Sequence, residues 1–147
     1  MGFELLPGLA GCDFIIDLGL CSVLLENNRL YPWILLVPRR ENVRGMTALS
    51  MDDRIRLMRE IALCESAMSS LFPCDQLNTA MIGNMTPQLH VHVICRTSGD
   101  PDWPDTVWNK HSEPYEESER REMASRIREA IEREMPRPEY GQDAQRR

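Results

Sequence analysis

The sharpest alternation of apolar and polar positions in the chain is "QLHVHVI", Gln88 to Ile94. Leu89, Val91 and Val93, continued by Cys95, fall on one side of an extended strand, and Gln88, His90, His92 and Ile94 fall on the other. Just upstream, "QLNTAMIGN" reads as a partner strand joined to it through the turn "GNMTP". Nearer the start, "CDFIIDLGLCSVLL" (Cys12 to Leu25) mixes alternation with apolar pairs, and "WILLVP" (Trp33 to Pro38) is a continuous apolar run. With the turn-rich "ENNRLYP" between them, they predict two antiparallel strands. From Ser50 the period changes to that of a helix. Ser50 stands at the capping position with Asp52 and Asp53 in the first turn, and Met51, Ile55, Met58, Ala62, Met68 and Phe72 recur near helical spacing until Pro73. This predicts a long helix whose stripe covers one face of the sheet. "SEPYEESERREMASRIREAIEREM" predicts a second helix, with Pro114 at its start and a narrow stripe of Tyr115, Met123, Ile127, Ala130, Ile131 and Met135. Between the helical and strand segments, "TSGDPDWPDTVWNK" reads as an ordered loop held by its aromatics. The pattern divides the chain into one domain over residues 1–135 and a polar tail, 136–147, expected to be largely disordered.

Composition narrows this picture. A chain of 147 residues with 42% apolar content can build one main core. The net charge of −6 and a pI near 5.1 argue against a nucleic-acid polymer as partner, which calls for a dense basic surface, but leave a small anionic ligand open. Five cysteines without a C-x-x-C spacing indicate reduced, mostly structural thiols rather than a disulfide framework or zinc ribbon. The opening "MGFELLPGLAGCDF" lacks a basic start and a long apolar core, and no run approaches the roughly 20 apolar residues of a membrane span. A cytoplasmic protein with no membrane partner is expected.

Two imidazoles on one strand face raise the question of chemistry. Side chains two apart on a strand lie roughly 6.6 Å apart at the backbone and run parallel, so Gln88, His90 and His92 form a row that can grip one ligand. Three readings are open: a metal site, a nucleophile and proton-donor pair acting on an anionic substrate, or a polar cluster satisfied internally. A metal would need at least one further ligand, and neither Cys95, on the opposite face, nor His111, in another loop, is recommended by its context. Phosphorus chemistry suits imidazole, a nucleophile when neutral and a proton donor when charged. Gly83 and Asn84 lie immediately upstream, in a turn whose N–H groups could face phosphate oxygens.

With these residues in view, the chain resembles the histidine triad (HIT) superfamily of nucleotide hydrolases and transferases, whose signature is H-x-H-x-H followed by two apolar residues. "QLHVHVI" stands in that place with Gln88 at the first position. "CSVLLENNRLYPWILLVPRRENV" resembles the family's strand, nucleotide-binding turn, strand and V-P-R/K segment; "GNMTPQLHVHVI" with "DPDWPDTVW" resembles a bacterial subgroup that carries Gln there. The resemblance implies an α+β fold: an antiparallel sheet of about five strands, one long helix packed on it and a C-terminal helix. It also implies a homodimer joined through its sheets, in which the loop of Trp103 and Trp108 could reach the partner's site.

The same resemblance implies roles for residues. His90 would attack the α-phosphorus to give a nucleotidyl-histidine that water resolves, and His92 would bind a phosphate oxygen and stabilise charge as the leaving group departs. Gly83 and Asn84 match the family's phosphate-binding Gly-Gln pair, Asn78 lies close to its phosphate-binding Asn, and Asn27 falls near the residue that holds the ribose hydroxyls. Gln88 keeps the main-chain carbonyl that orients the catalytic imidazole, and its amide can donate to phosphate or to a neighbour. Unlike histidine it cannot change charge with pH. The implied activity is hydrolysis of a dinucleoside polyphosphate, such as a diadenosine polyphosphate, or of a nucleoside phosphoramidate. No cofactor and no metal are implied for the nucleophilic step. A catalytically weak nucleotide-binding regulator and, behind it, a metal-binding module are the alternatives.

Overall fold

The computed structural model describes residues 2–136, so the expected polar tail, apart from Pro136, lies outside the described residues. Five strands, β1 (Asp13–Asp17), β2 (Cys21–Leu25), β3 (Trp33–Pro38), β4 (Gln76–Ala80) and β5 (Val91–Arg96), form one antiparallel sheet in the order β1-β2-β3-β5-β4. Three helices accompany it: the single-turn α1 (Pro7–Ala10), the long α2 (Met51–Leu71) and α3 (Glu117–Glu134). This is the α+β architecture expected.

Cys12 to Leu25 is not one strand but a tight hairpin. The chain reverses at Leu18–Leu20, where the Leu18 N–H donates to the Cys21 carbonyl at 2.8 Å, and a bulge shifts the register between Phe14 and Ile16. The apolar pattern concealed the turn because Leu18 and Leu20 on either side of exposed Gly19 are themselves buried.

Ser50 caps α2 as expected, its Oγ accepting from the Asp53 N–H at 3.1 Å. Asp53 does not return the favour to Ser50. Its carboxylate takes a two-point bond from Arg40 (2.7 and 3.0 Å), which holds its pKa below the usual range. The buried face of α2 carries Leu57, Ile61, Cys64, Ala67 and Met68. Of the stripe expected to face the sheet, Met51, Ile55, Met58 and Ala62 are exposed instead, while Met68 is buried and Phe72 is half-buried against the core. Both sets repeat at helical spacing, one residue or about 100° out of phase, and spacing alone does not choose between them. Glu60 fixes the helix to the sheet: its carboxylate accepts from the Leu20 N–H at 2.9 Å and the Cys21 N–H at 2.7 Å. α3 begins at Glu117, three residues beyond Pro114, and buries Ala124, Ile127, Ala130 and Ile131.

The sheet therefore has two covered faces. On one, Val23, Ile34, Leu36, Val91, Val93 and Cys95 pack with α2 and α3. On the other, Leu24, Trp33, Leu35, Val37 and Ile94 form a second cluster with Leu9, Tyr31 and Val107, onto which Phe3, Leu5, Cys12 and Trp108 also pack. That second face carries the histidines.

Candidate functional site

His90 sits one residue before β5 and His92 within it, and the two rings meet edge to face with centroids 4.9 Å apart. Both are buried. An imidazole in such a place needs partners for both nitrogens, and the partners identify its tautomer.

The Nδ1 of His90 lies 2.7 Å from the Gln88 carbonyl oxygen. A carbonyl only accepts, so Nδ1 carries the proton and, in the neutral ring, Nε2 presents its lone pair. His92 has the opposite arrangement. The indole N–H of Trp33 donates to its Nδ1 at 3.0 Å, and an indole N–H only donates, so Nδ1 carries no proton and Nε2 does. That Nε2–H faces the Ile82 carbonyl at 3.4 Å, a weak bond easily exchanged. Burial, reinforced by the neighbouring His90 ring, lowers the His92 pKa to about 4, partly opposed by the Ile82 carbonyl. His92 is thus a fixed neutral donor beside a ring with a free lone pair.

The other expected residues separate into groups. Gly83 lies beside the His90 ring: a Cβ there would sit 3.7 Å from His90 Cε1 and a tight 3.1 Å from the Thr86 carbonyl oxygen, so glycine lets the turn close in on the ring. Asn84 follows with an exposed side chain. Gln88 contributes its carbonyl to His90, while its amide bonds elsewhere, to Glu4 and Leu6. Asn78 is opposite Ile94 on β4, and its Oδ1 accepts from Arg96 Nη1 at 3.1 Å. Asn27 follows β2, its Oδ1 accepting from the Tyr115 N–H at 2.9 Å. The carboxamide oxygens of these two asparagines are therefore engaged in holding structure, which leaves their N–H groups to offer a ligand.

Three further residues belong to the site; Trp33 and Glu26 were not singled out from the sequence, and Trp108 was named there only as a residue that could reach a partner's site. Trp33 was visible only as the first member of an apolar run, yet it sets the His92 tautomer. Trp108 packs edge-on against both Trp33 (5.9 Å) and His92 (5.3 Å) of its own chain. Glu26, half-buried next to Asn27, has its carboxyl pushed up by burial and drawn back by the His90 ring, which places a carboxylate within electrostatic reach of the proposed nucleophile. An acid among turn residues carries no periodic signal, and only its adjacency to Asn27 could have drawn attention to it.

Behind the histidines the same face ends in a buried charge cluster. Arg96, 1% exposed, donates Nε and Nη2 to Asp100 at 2.7 and 2.9 Å. Asp102 accepts from the Tyr31 hydroxyl and pairs with His111 Nδ1 at 2.8 Å. These bonds tie residues 97–111 down over the sheet. Among the described residues, no group of three or more His, Cys, Asp or Glu side chains comes together as a metal site would require.

Comparison with known proteins agrees with this fold. The family model described as the HIT domain matches residues 10–99. Among solved structures, the chain is similar to a histidine triad protein from Marinobacter aquaeolei, at 36% identity and a TM-score of 0.87 over 92% of this chain and 100% of that one. It is similar to one from Bradyrhizobium japonicum, at 36% identity and 0.84 over 89% and 99%. A third, from Sinorhizobium meliloti, gives 38% identity and 0.83 over 87% and 96%. No curated protein matches.

Proposed function

The chain belongs to the HIT domain family, and on that premise we propose that it hydrolyses a dinucleoside polyphosphate or nucleoside phosphoramidate through a nucleotidyl-histidine on His90. The observation that carries this reading is the bond from His90 Nδ1–H to the Gln88 carbonyl, which turns the Nε2 lone pair outward without a third imidazole. Attack forms an Nε2–P bond at the α-phosphorus and breaks the bond to the leaving oxygen or nitrogen, which departs with the electron pair. Water then attacks the same phosphorus, breaks the P–N bond and restores the imidazole. His92 exchanges its long bond to Ile82 for a phosphoryl oxygen, donating from Nε2 where negative charge develops. The Gly83–Asn84 turn offers N–H groups to the remaining oxygens, and Asn27 and Asn78 offer their amide N–H groups to the substrate.

Incubation with diadenosine polyphosphates and adenosine phosphoramidates, followed by quenching and mass measurement, tests this directly. An adenylyl adduct confined to the His90 peptide is expected. Turnover without that adduct, and undiminished in His90→Ala, would remove the assignment; nucleotide binding with neither adduct nor turnover would leave a binding regulator.

The same reading includes a homodimer. Among the described residues β4 is an edge strand paired with β5 alone, and the Thr79 hydroxyl on it donates to Glu65 of α2 at 3.1 Å, about two helical turns beyond Met58 on the face that carries the exposed Met51, Ile55 and Met58. An open edge beside an apolar helix face suits a second copy, which would extend the sheet and cover the stripe. Met58→Glu is expected to shift the molecular mass measured by light scattering from dimer to monomer. A cytoplasmic location is also part of the proposal. It fits five free thiols, and no helix among the described residues is long and apolar enough to cross a membrane.

A further inference from the structure

We infer that the Gln88 side chain serves the chain's own N-terminal arm, residues 3–12, which it fastens over the apolar cluster behind the triad histidines. Its Nε2 donates to the Glu4 carbonyl at 2.8 Å and its Oε1 accepts from the Leu6 N–H at 2.9 Å. Both partners are main-chain groups two residues apart, so the carboxamide acts as one more peptide unit paired with an extended segment. Among the described residues these two bonds are the hydrogen bonds that join residues 2–6 to anything beyond the arm itself; the Leu6 carbonyl is otherwise bonded within the arm, to the Leu9 and Ala10 N–H groups. An imidazole at this position could not replace them: its nitrogens lie on opposite sides of a rigid ring, whereas the amide presents donor and acceptor side by side.

The rest of the arm continues the attachment. Gly8 lies so close to Thr86 that a Cβ would collide with the threonine hydroxyl. Leu9 is buried in the cluster of Trp33 and Leu35, Phe3 and Leu5 pack on it, and Cys12 Sγ reaches Glu26 at 3.9 Å. Gln88 is thus bifunctional: its carbonyl orients His90 and its side chain seats the arm, so arm and nucleophile share one residue. Gln88 in the triad is a gain of anchoring, and because the same residue orients His90, loosening the arm is expected to be felt in substrate affinity.

This rests on the proposed function, but the anchor has its own readout in hydrogen–deuterium exchange of the full chain. Leu6→Pro deletes one of the two bonds at a φ of −65° that proline adopts without strain. In wild type the Leu6 amide is expected to be protected. In Gln88→Ala and Gln88→His, the amides of residues 8–12 should exchange about tenfold faster, as expected for loss of two hydrogen bonds. In Leu6→Pro, KM for a diadenosine polyphosphate should rise several-fold with kcat held, and the double variant with Gln88→Ala should be no worse than Gln88→Ala alone. Unchanged arm exchange in Gln88→Ala or Gln88→His, or independent multiplication of the two KM effects, would overturn the anchor. If wild type turns over no nucleotide, the enzymatic reading fails while the exchange result still decides the anchor.

Discussion

Val91, Val93 and Cys95 on one side of β5 lie against two long helices, whereas His92, Ile94 and Arg96 on the other lie beside the N-terminal arm, the connection between β4 and β5 and the 97–116 segment, which have little regular structure. The covers differ for a physical reason. A helix satisfies its own backbone and offers side chains, so it closes an apolar face well. An irregular segment brings unpaired main-chain carbonyls and N–H groups, which buried polar side chains require. On the second face those groups are in use: the Gln88 carbonyl for His90, the Ile82 carbonyl for His92, and Glu4 and Leu6 for the Gln88 amide. A strand face that carries imidazoles needs such a cover.

The two faces should fail differently when broken. The largest expected effect is chemical: His90→Ala should lower turnover by about three orders of magnitude or more, while calorimetry shows nucleotide affinity within a few-fold of wild type. Next, Arg96→Ala leaves the Asp100 carboxylate buried without its partner and should cost about 3–5 kcal/mol in denaturant unfolding. On the helix-covered face, Leu57→Ala removes apolar volume alone and should cost about 2–4 kcal/mol, with activity per folded molecule retained.

A smaller effect comes through pH. His92 titrates near 4 in the folded protein and near 6.5 when unfolded, so the unfolded chain takes the proton first. Stability contributed by this residue is complete above about pH 6.5 and is lost as pH falls toward 4, up to about 3 kcal/mol. Phenylalanine at position 33, which deletes the indole donor, should flatten that slope in a pH series of unfolding curves. Last, Ser50→Ala should cost about 1 kcal/mol, since it removes a single cap from α2.

The sequence carried the histidine face more clearly than the helix face. Alternation in "QLHVHVI" has only one extended reading, and it located His90, His92 and Gln88 together, while the part of the Gln88 carbonyl was implied by the family resemblance. On α2 two apolar stripes at equal spacing compete, and only the sheet's position selects Leu57 and Ile61 over Met51 and Ile55. The side-chain partners of Gln88 were invisible because they are main-chain atoms more than 80 residues away, which any sequence would supply. Asn27 and Asn78 were expected only through the family resemblance, which put them near positions the family uses. What remained hidden was that their oxygens also brace Tyr115 and Arg96.

Trp33 and Trp108 approach the His92 ring at 5.6 and 5.3 Å, one by hydrogen bond and one by its edge, and the chain's third indole, Trp103, lies apart over Arg96. An imidazolium quenches excited indole far more strongly than a neutral imidazole does. The intrinsic fluorescence of this protein is therefore an optical gauge of one histidine's charge, readable without any label.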